Sequence, residues 1–274
     1  MLVRRPCFSP SPLLNPNGAI PAGLQVFRAA AKDPAITHIT VLSRRPLPDY
    51  VPASDKAQVI VLADFLDYPP EVAARLAEHD ACIWSLGGSS SGHTEESYTV
   101  FTLEYVKVFV DALQRSGGVA SRPENDPFRF VYVSGEGADP EEKSLLLFAR
   151  IKVSASPFSE ILLTDASTRI TKGRAEKYLM DLPPSSGIRA SIVRPGWFHP
   201  TKEDEHLRSA TARTLHTLFA PIIKGVWPSA YTPVEAIGQL TVEIAKGRWS
   251  EEQLFRNVRL RELMVPAPTK RYDS

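Results

Sequence analysis

The sequence predicts an α/β protein, a doubly wound parallel sheet with helices on both faces. Three observations lead there. Phe128–Val133 (FRFVYV) is an aromatic and β-branched run whose only charge is Arg129, the way a strand buried on both faces reads. It stops at Ser134-Gly135-Glu136-Gly137-Ala138-Asp139, a polar, glycine-bearing exit, and open α/β sheets bind ligands at such exits on the carboxyl edge. Strand-like and helix-like stretches alternate before and after it, as winding a parallel sheet requires.

Residues 1–17 are the least foldable stretch, with four prolines and no acid; the first acid is Asp33. They are expected to lie outside a single domain spanning 18–265, with a tail at 266–274. An acid-free start containing Arg and Ser has the composition of a mitochondrial targeting segment, but the prolines oppose the amphipathic helix such a segment needs. Cytoplasm is therefore the default location and mitochondria the alternative. Leu13-Leu14 is a poor first strand. Gly23–Lys32 reads as a helix, with Leu24 and Phe27 at helical spacing. Ile36–Leu42 is a strand that leaves through Ser43-Arg44-Arg45. Gln58–Leu62 is the next strand, followed by Asp64-Phe65, and Pro69–Glu78 is an amphipathic helix with Val72 and Leu76 inward. Asp80–Leu86 is a strand leading to Gly87 and a flexible Gly/Ser-rich stretch, Gly88–His93. Thr94–Leu113 reads as one long helix whose aromatic stripe (Tyr98, Phe101, Tyr105, Phe109) is core.

After Phe128–Val133, Asp139 can cap a helix that Pro140 and two glutamates begin and that runs through Leu145–Phe148 towards Lys152. Arg189–Val193 is a strand, Val234–Lys246 a helix, and Asn257–Leu263 closes the fold with a strand and a helix. Lys202–Leu207 is charged and expected to be exposed. His199, Asp204 and His206 lack ligand spacing and are read as solvated side chains, with no metal site.

The 274 residues suffice for a sizeable core, and 43% hydrophobic with 23% charged residues is ordinary for a globular protein. A net charge of +1 gives no reason to expect nucleic acid or an anionic membrane as partner. Cys7 and Cys82 have neither metal-ligand nor disulfide-framework spacing, which fits a reducing compartment. No apolar run reaches the roughly 18 residues a bilayer span needs. The nearest, Leu215–Val226, is broken by His216, Pro221 and Lys224 and reads as a buried or interface helix.

A serine at a strand end, followed by a helix with an aromatic four residues before a lysine, resembles the short-chain dehydrogenases/reductases. Ser134, Gly137-Ala138-Asp139 and Gly173-Arg174-Ala175-Glu176 resemble its atypical branch, the Tat-interacting-protein-like oxidoreductases. Arg194-Pro195-Gly196, Tyr231-Thr232-Pro233-Val234-Glu235 and Glu104-Tyr105 extend the likeness, which runs with two interruptions from Gly18 to Leu263. The resemblance implies a Rossmann-like fold binding NADP or NAD, with a catalytic Ser, Tyr and Lys. Ser134 would hold the substrate oxygen and Lys152 the ribose hydroxyls, while Phe148 occupies the tyrosine place. Cofactor contacts would come from Gly18, Gly23, Ser43, Arg44, Arg45, Asp64, Phe65, Ser85, Leu86, Gly87, Lys152, Pro195 and Gly196.

Arginines after the second strand suit a ribose 2′-phosphate, so Arg44 and Arg45 favour NADP (NADPH); a solvated basic turn is the other reading. The glycine loop keeps only Gly18 and Gly23 of its three glycines, so the phosphate cradle is damaged. Val153–Lys172 interrupts the family pattern, and excising it would join Lys152 directly to Gly173. It reads as a retained intron or an inserted loop, since Pro157 and its Ser/Thr content make a poor helix continuation.

Two functions follow. One is an NADP-dependent oxidoreductase acting on an unidentified small carbonyl or alcohol. The other is a catalytically impaired NADP-binding regulatory or scaffold protein, because Phe148 cannot exchange a proton. A homodimer or a protein partner stays open.

Overall fold

The computed structural model describes residues 6–9, 21–87, 94–143, 157–198, 201–207 and 230–264. The strand the sequence marked most clearly, β5 (Phe128–Val133), lies inside a seven-stranded parallel sheet of order β3-β2-β1-β4-β5-β6-β7. The strands are β1 (Pro6–Ser9), β2 (Ile39–Ser43), β3 (Ala57–Val61), β4 (Ala81–Trp84), β6 (Ile188–Arg194) and β7 (Leu254–Arg256). The order reverses between β1 and β4, which is where doubly wound sheets open a crevice at the carboxyl edge.

Helices α1 (Pro21–Lys32), α6 (Val234–Ala245) and α7 (Asn257–Met264) cover one face. Helices α2 (Pro70–Ala77), α4 (Tyr105–Arg115) and α5 (Pro157–Met180) cover the other. Two-residue alternation sorts the continuous apolar strands between these layers. Cys82, Trp84, Phe128, Phe130 and Tyr132 face α2, α4 and α5, whereas Ala81, Ile83 and Val131 face α1 and α6. The aromatics thus concentrate on one side, where Trp84 packs on Phe109 at 5.3 Å and stacks on Phe130 at 6.1 Å between ring centroids.

Three expectations are corrected. The first strand is Pro6–Ser9, inside the stretch expected to lie outside the domain; it sits within the sheet between β2 and β4, with Cys7 opposite Thr40 on one side and Cys82 on the other. The long helix expected at Thr94–Leu113 is present as a continuous run from Glu95 to Arg115, in which a π turn (Val100–Glu104) joins α3 (Glu95–Thr99) to α4. Thr94 caps α3, its hydroxyl accepting from Ser97 N at 3.2 Å. The supposed insertion is not a loop beyond Pro157, because α5 runs unbroken from Pro157 through Lys172 to Met180. Proline opposes a helix in its interior but suits its first turn, and Pro157 is the first residue. Finally, Asp204 is 3% exposed and not solvated, since α1 supplies donors to its carboxylate.

Among the described residues no helix is long and apolar enough to cross a membrane, and no group of His, Cys, Asp or Glu has the geometry to hold a metal ion. The Leu215–Val226 segment lies outside the described residues.

Candidate active site at the carboxyl edge of the sheet

Ser134 follows β5 directly, and its amide donates to Val193 O at 2.8 Å, extending the β5–β6 ladder by one bond. The side chain is 8% exposed, and its Oγ has no hydrogen-bond partner among the described residues. A buried hydroxyl without a partner costs roughly 1–3 kcal/mol.

The chain beyond Ser134 is bolted down. Glu136 N donates to Pro195 O at 3.0 Å, and the Glu136 carboxylate accepts from Arg256 Nε at 2.8 Å and Asn257 N at 2.9 Å. The exits of β5, β6 and β7 are thereby tied together. On the other side α5 grips the same loop: Arg169 Nε donates to Gly137 O at 2.7 Å, Asp139 N donates to Arg169 O at 2.9 Å, and Arg174 ion-pairs with Glu142. Gly173 permits this approach, because a Cβ there would lie 2.2 Å from the carbonyl carbon and oxygen of Asp139.

This docking sets Lys172 against Gly135, the residue after Ser134. Its Nζ lies 3.7 Å from the point a Cβ on Gly135 would occupy, next to Ser134. The sequence placed this role at Lys152; Lys152 and Phe148 lie outside the described residues, as does Gly18. Lys172-Gly173-Arg174-Ala175-Glu176 offers a second lysine directly before the Gly173–Glu176 motif. The residue four before Lys172 is Thr168, half-buried on the same helix.

One turn further along α5, Glu176 is fully buried and holds Arg194, whose Nε donates to its two carboxylate oxygens at 3.0 and 3.1 Å. A buried pair of this kind is a weak source of net stability, but it fixes geometry, because removing either partner strands a charge in the core. Here it fixes the register of Arg194-Pro195-Gly196 against α5. Gly196 N then donates to Thr232 Oγ1 at 2.9 Å, and Thr232 Oγ1 donates to Asn257 Oδ1 at 2.5 Å. A Cβ on Gly196 would lie 2.2 Å from Ala230 O, so the exit closes only around glycine.

Tyr132 and Tyr178 are poor sources of a mobile proton. Burial, Tyr98 and Glu176 hold the Tyr132 hydroxyl well above its ordinary range. Burial, with the charges of Asp111 and Glu104, pushes Tyr178 up to about 12.

The other half of the edge is open. β2 ends at Ser43, whose Oγ accepts from Arg45 N at 3.4 Å, and Arg44 and Arg45 project exposed into solvent. Asp64 is exposed and closes a tight turn by accepting from Leu66 N at 2.9 Å. Phe65 follows it with its ring 1% exposed, packed 5.6 Å from Tyr105 and 6.2 Å from Trp84, so only its backbone can meet a base. Ser85 and Leu86 are buried after β4, and Gly87 borders open space, with no atom within 4 Å of an added Cβ. Gly23 is buried in the first turn of α1. The exits carrying Arg44, Asp64, Ser85, Ser134 and Pro195 therefore share one edge of a parallel sheet.

No family model matches this chain. It is 29% identical over 152 residues to leucinostatins biosynthesis cluster protein T of Purpureocillium lilacinum, an overlap of 54% of this chain and 52% of that protein. The chain thus spans about half the length of the curated relative it matches. Among solved structures it superposes on the 3-alpha-hydroxysteroid dehydrogenase of Pseudomonas sp. B-0831 complexed with NADH (TM-score 0.55, 11% identity, 92% of this chain and 94% of the other). A second dehydrogenase gives a TM-score of 0.58 at 8% identity over 94% of both chains. UDP-glucose 4-epimerase of Thermotoga maritima gives 0.53 at 12% identity, over 87% of this chain and 72% of the other. At these identities the likeness establishes the fold: a Rossmann-like, doubly wound α/β sheet of the kind dehydrogenases use.

Proposed function

We propose that this chain is an NADP-binding protein of the short-chain dehydrogenase/reductase type, related to the atypical branch its motifs resemble, and an oxidoreductase acting on a small carbonyl or alcohol. The observation that carries the reading is the buried, partnerless Ser134 hydroxyl at the β5 exit, with the Lys172 ammonium near the following residue, Gly135. A nicotinamide dinucleotide fits the residues present: open space at Gly87, an exposed guanidinium pair at Arg44 and Arg45, and a hydroxyl lacking a partner. When bound, such a cofactor supplies the hydride chemistry.

The chain's own residues supply position and polarity. Ser134 donates to the substrate oxygen, and the rigid Gly135–Glu142 loop keeps it aimed. Lys172 binds ribose hydroxyls and lends positive potential to the site, the part first assigned to Lys152. Arg44 and Arg45 take the 2′-phosphate through charge-assisted bonds and set the preference for NADP. Pro195 and Gly196 close the nicotinamide side.

A second reading is favoured by one observation: the place four residues before Lys172 holds Thr168, whose hydroxyl does not ionise near neutral pH. General acid–base catalysis by a side chain typically contributes 10²–10⁴-fold, and its loss would leave a protein that binds the cofactor and turns over slowly or not at all. The partial likeness to a protein named for a biosynthetic cluster favours the enzyme. The test is to titrate NADPH and NADH into the purified chain, then assay NADPH oxidation against a panel of small aldehydes and ketones. Binding with turnover supports the enzyme, binding without turnover supports the second reading, and no binding of either nucleotide overturns both.

A further inference from the structure

Asp204 belongs to the short turn Lys202–Leu207, beyond the β6 exit, and it is among the most thoroughly satisfied carboxylates in the molecule. Its Oδ2 accepts from Arg28 Nη1 at 2.5 Å, Gln25 Nε2 at 2.9 Å and Thr201 Oγ1 at 2.7 Å, and its Oδ1 accepts from Arg28 Nη2 at 2.9 Å. Its amide donates to Thr201 O at 3.0 Å, closing the turn. Arg28 and Gln25 lie one turn apart on α1, and Gln25 is 6% exposed. The clasp sits where α1 meets α6: a Cβ on Gly238 would lie 2.5 Å from Gln25 O, so the two helices touch backbone to backbone.

Three segments that border the carboxyl edge meet here. One is α1, whose amino end faces the crevice and is the natural seat for a polyphosphate. The second is the loop following Arg44-Arg45: Leu47, Tyr50 and Val51 pack on Leu24, and burial together with the Asp204 charge raises the Tyr50 hydroxyl. The third leaves Gly196. Phe198 and Thr201 are three residues apart, a span of at most about 11 Å, so fixing Thr201–Asp204 on α1 restricts where Gly196–Phe198 can go. Thr232 and Ala230 hold that same stretch from the other side, through Gly196 N at 2.9 Å and Trp197 N at 2.7 Å.

We propose that Asp204 is a positioning residue. By clamping the segment that leaves β6 onto α1, it joins the substrate side of the edge to the nucleotide side, so that a dinucleotide meets a crevice already assembled. The proposal rests on the reading of this edge as a nicotinamide dinucleotide site. A bidentate arginine–carboxylate pair suits the task because its fork fixes orientation as well as distance. A pair serving only the fold would change melting temperature and leave the affinity of the folded protein alone.

The experiment compares the wild type with Asp204→Asn, which keeps the shape and loses the charge, and with Arg28→Lys, which keeps the charge and loses the fork. NADPH dissociation constants are measured well below the melting temperature, alongside amide hydrogen exchange across 196–204 and α1. The expected result is an NADPH Kd raised at least fivefold in Asp204→Asn, an intermediate value in Arg28→Lys, and faster exchange at Gly196–Phe198 as well as at Thr201–Asp204. Should Asp204→Asn fail to fold, Thr201→Val removes one donor only and carries the same expectation at smaller size. Wild-type affinity in the variants, with only the melting temperature lowered, overturns the proposal while leaving the dinucleotide site standing. A wild type that binds no NADPH overturns that site, and the clasp with it.

Discussion

The two halves of the carboxyl edge are built on different plans. At the exits of β5, β6 and β7 nearly every polar group is committed: Glu136 to Arg256 and Asn257, Arg194 to Glu176, Gly196 to Thr232, and the Gly137–Asp139 backbone to Arg169. The conspicuous exception is the Ser134 hydroxyl. At the exits of β2 and β3 the side chains reach into solvent, and Arg44 and Arg45 stand exposed. Reaction geometry tolerates little error and is served by groups fixed in advance. Recognition of a phosphate is more forgiving, because charge acts over distance and flexible arginines can close on their target. The difference between the halves is what separate duties for the two ends of one dinucleotide would require.

That contrast can be broken by mutation, and the largest effects belong to the rigid half. Glu176→Ala leaves the Arg194 guanidinium buried without its carboxylate and is expected to destabilise the fold by about 3–5 kcal/mol, read from urea denaturation. Gly173→Ala comes next. Helix propensity favours alanine by up to about 1 kcal/mol, but the added methyl meets the Asp139 carbonyl, and overpacking of this sort costs about 1–3 kcal/mol. A net loss, together with weaker NADPH binding as Lys172 moves away from Ser134, is the expected outcome. A Gly173→Ala protein at least as stable as the wild type would show that α5 does not press on the Asp139 loop.

In the open half the same perturbation should leave stability alone and change selectivity. Arg44→Ala with Arg45→Ala is expected to stay within about 0.5 kcal/mol of the wild type in denaturation. Each charge-assisted bond to a 2′-phosphate contributes about 1.5–3 kcal/mol, so the ratio of NADPH to NADH affinity should fall at least about tenfold. An unchanged ratio would return the pair to a solvated basic turn.

The smallest expected effect is in acid. Burial pushes the Asp204 carboxyl up, but the bonds from Arg28, Thr201 and Gln25 and the Arg28 charge outweigh it, and the group sits below its ordinary value of 3.8. A carboxylate depressed in the folded state gives stability that is fully present above its unfolded value and lost as pH falls through the folded one. The gap in melting temperature between wild type and Asp204→Asn should therefore be constant from neutral pH down to about pH 4 and shrink below it. A gap that shrinks between pH 7 and pH 5 would contradict the assignment.

Much of this fold was legible because β4 and β5 carry the largely apolar runs that burial on both faces demands, and Phe128–Val133 was bounded without error. β1 was not, because four residues beginning with proline cannot show such a run; the strand draws its place from β2 and β4 on either side. α5 was obscured because Pro157 and the Ser/Thr content after it read as a break, and its apolar residues follow no clear helical stripe. Asp204 was hidden for the opposite reason: its neighbours are charged, and nothing local distinguishes the one carboxylate that α1 draws inward. At the site, Ser134 and the Gly173–Glu176 stretch were readable as motifs, whereas the approach of Lys172 to Gly135 depends on the docking of α5, which no local pattern shows.

The central claim is that Ser134 and Lys172 frame the reactive end of a nicotinamide dinucleotide site, and calorimetric titration of NADPH into the wild type, Lys172→Met and Lys152→Met tests it most directly. Losing a charged hydrogen-bond partner should weaken NADPH about tenfold or more in Lys172→Met and leave Lys152→Met at the wild-type value. Equal binding by Lys172→Met and the wild type, or a loss confined to Lys152→Met, would contradict it.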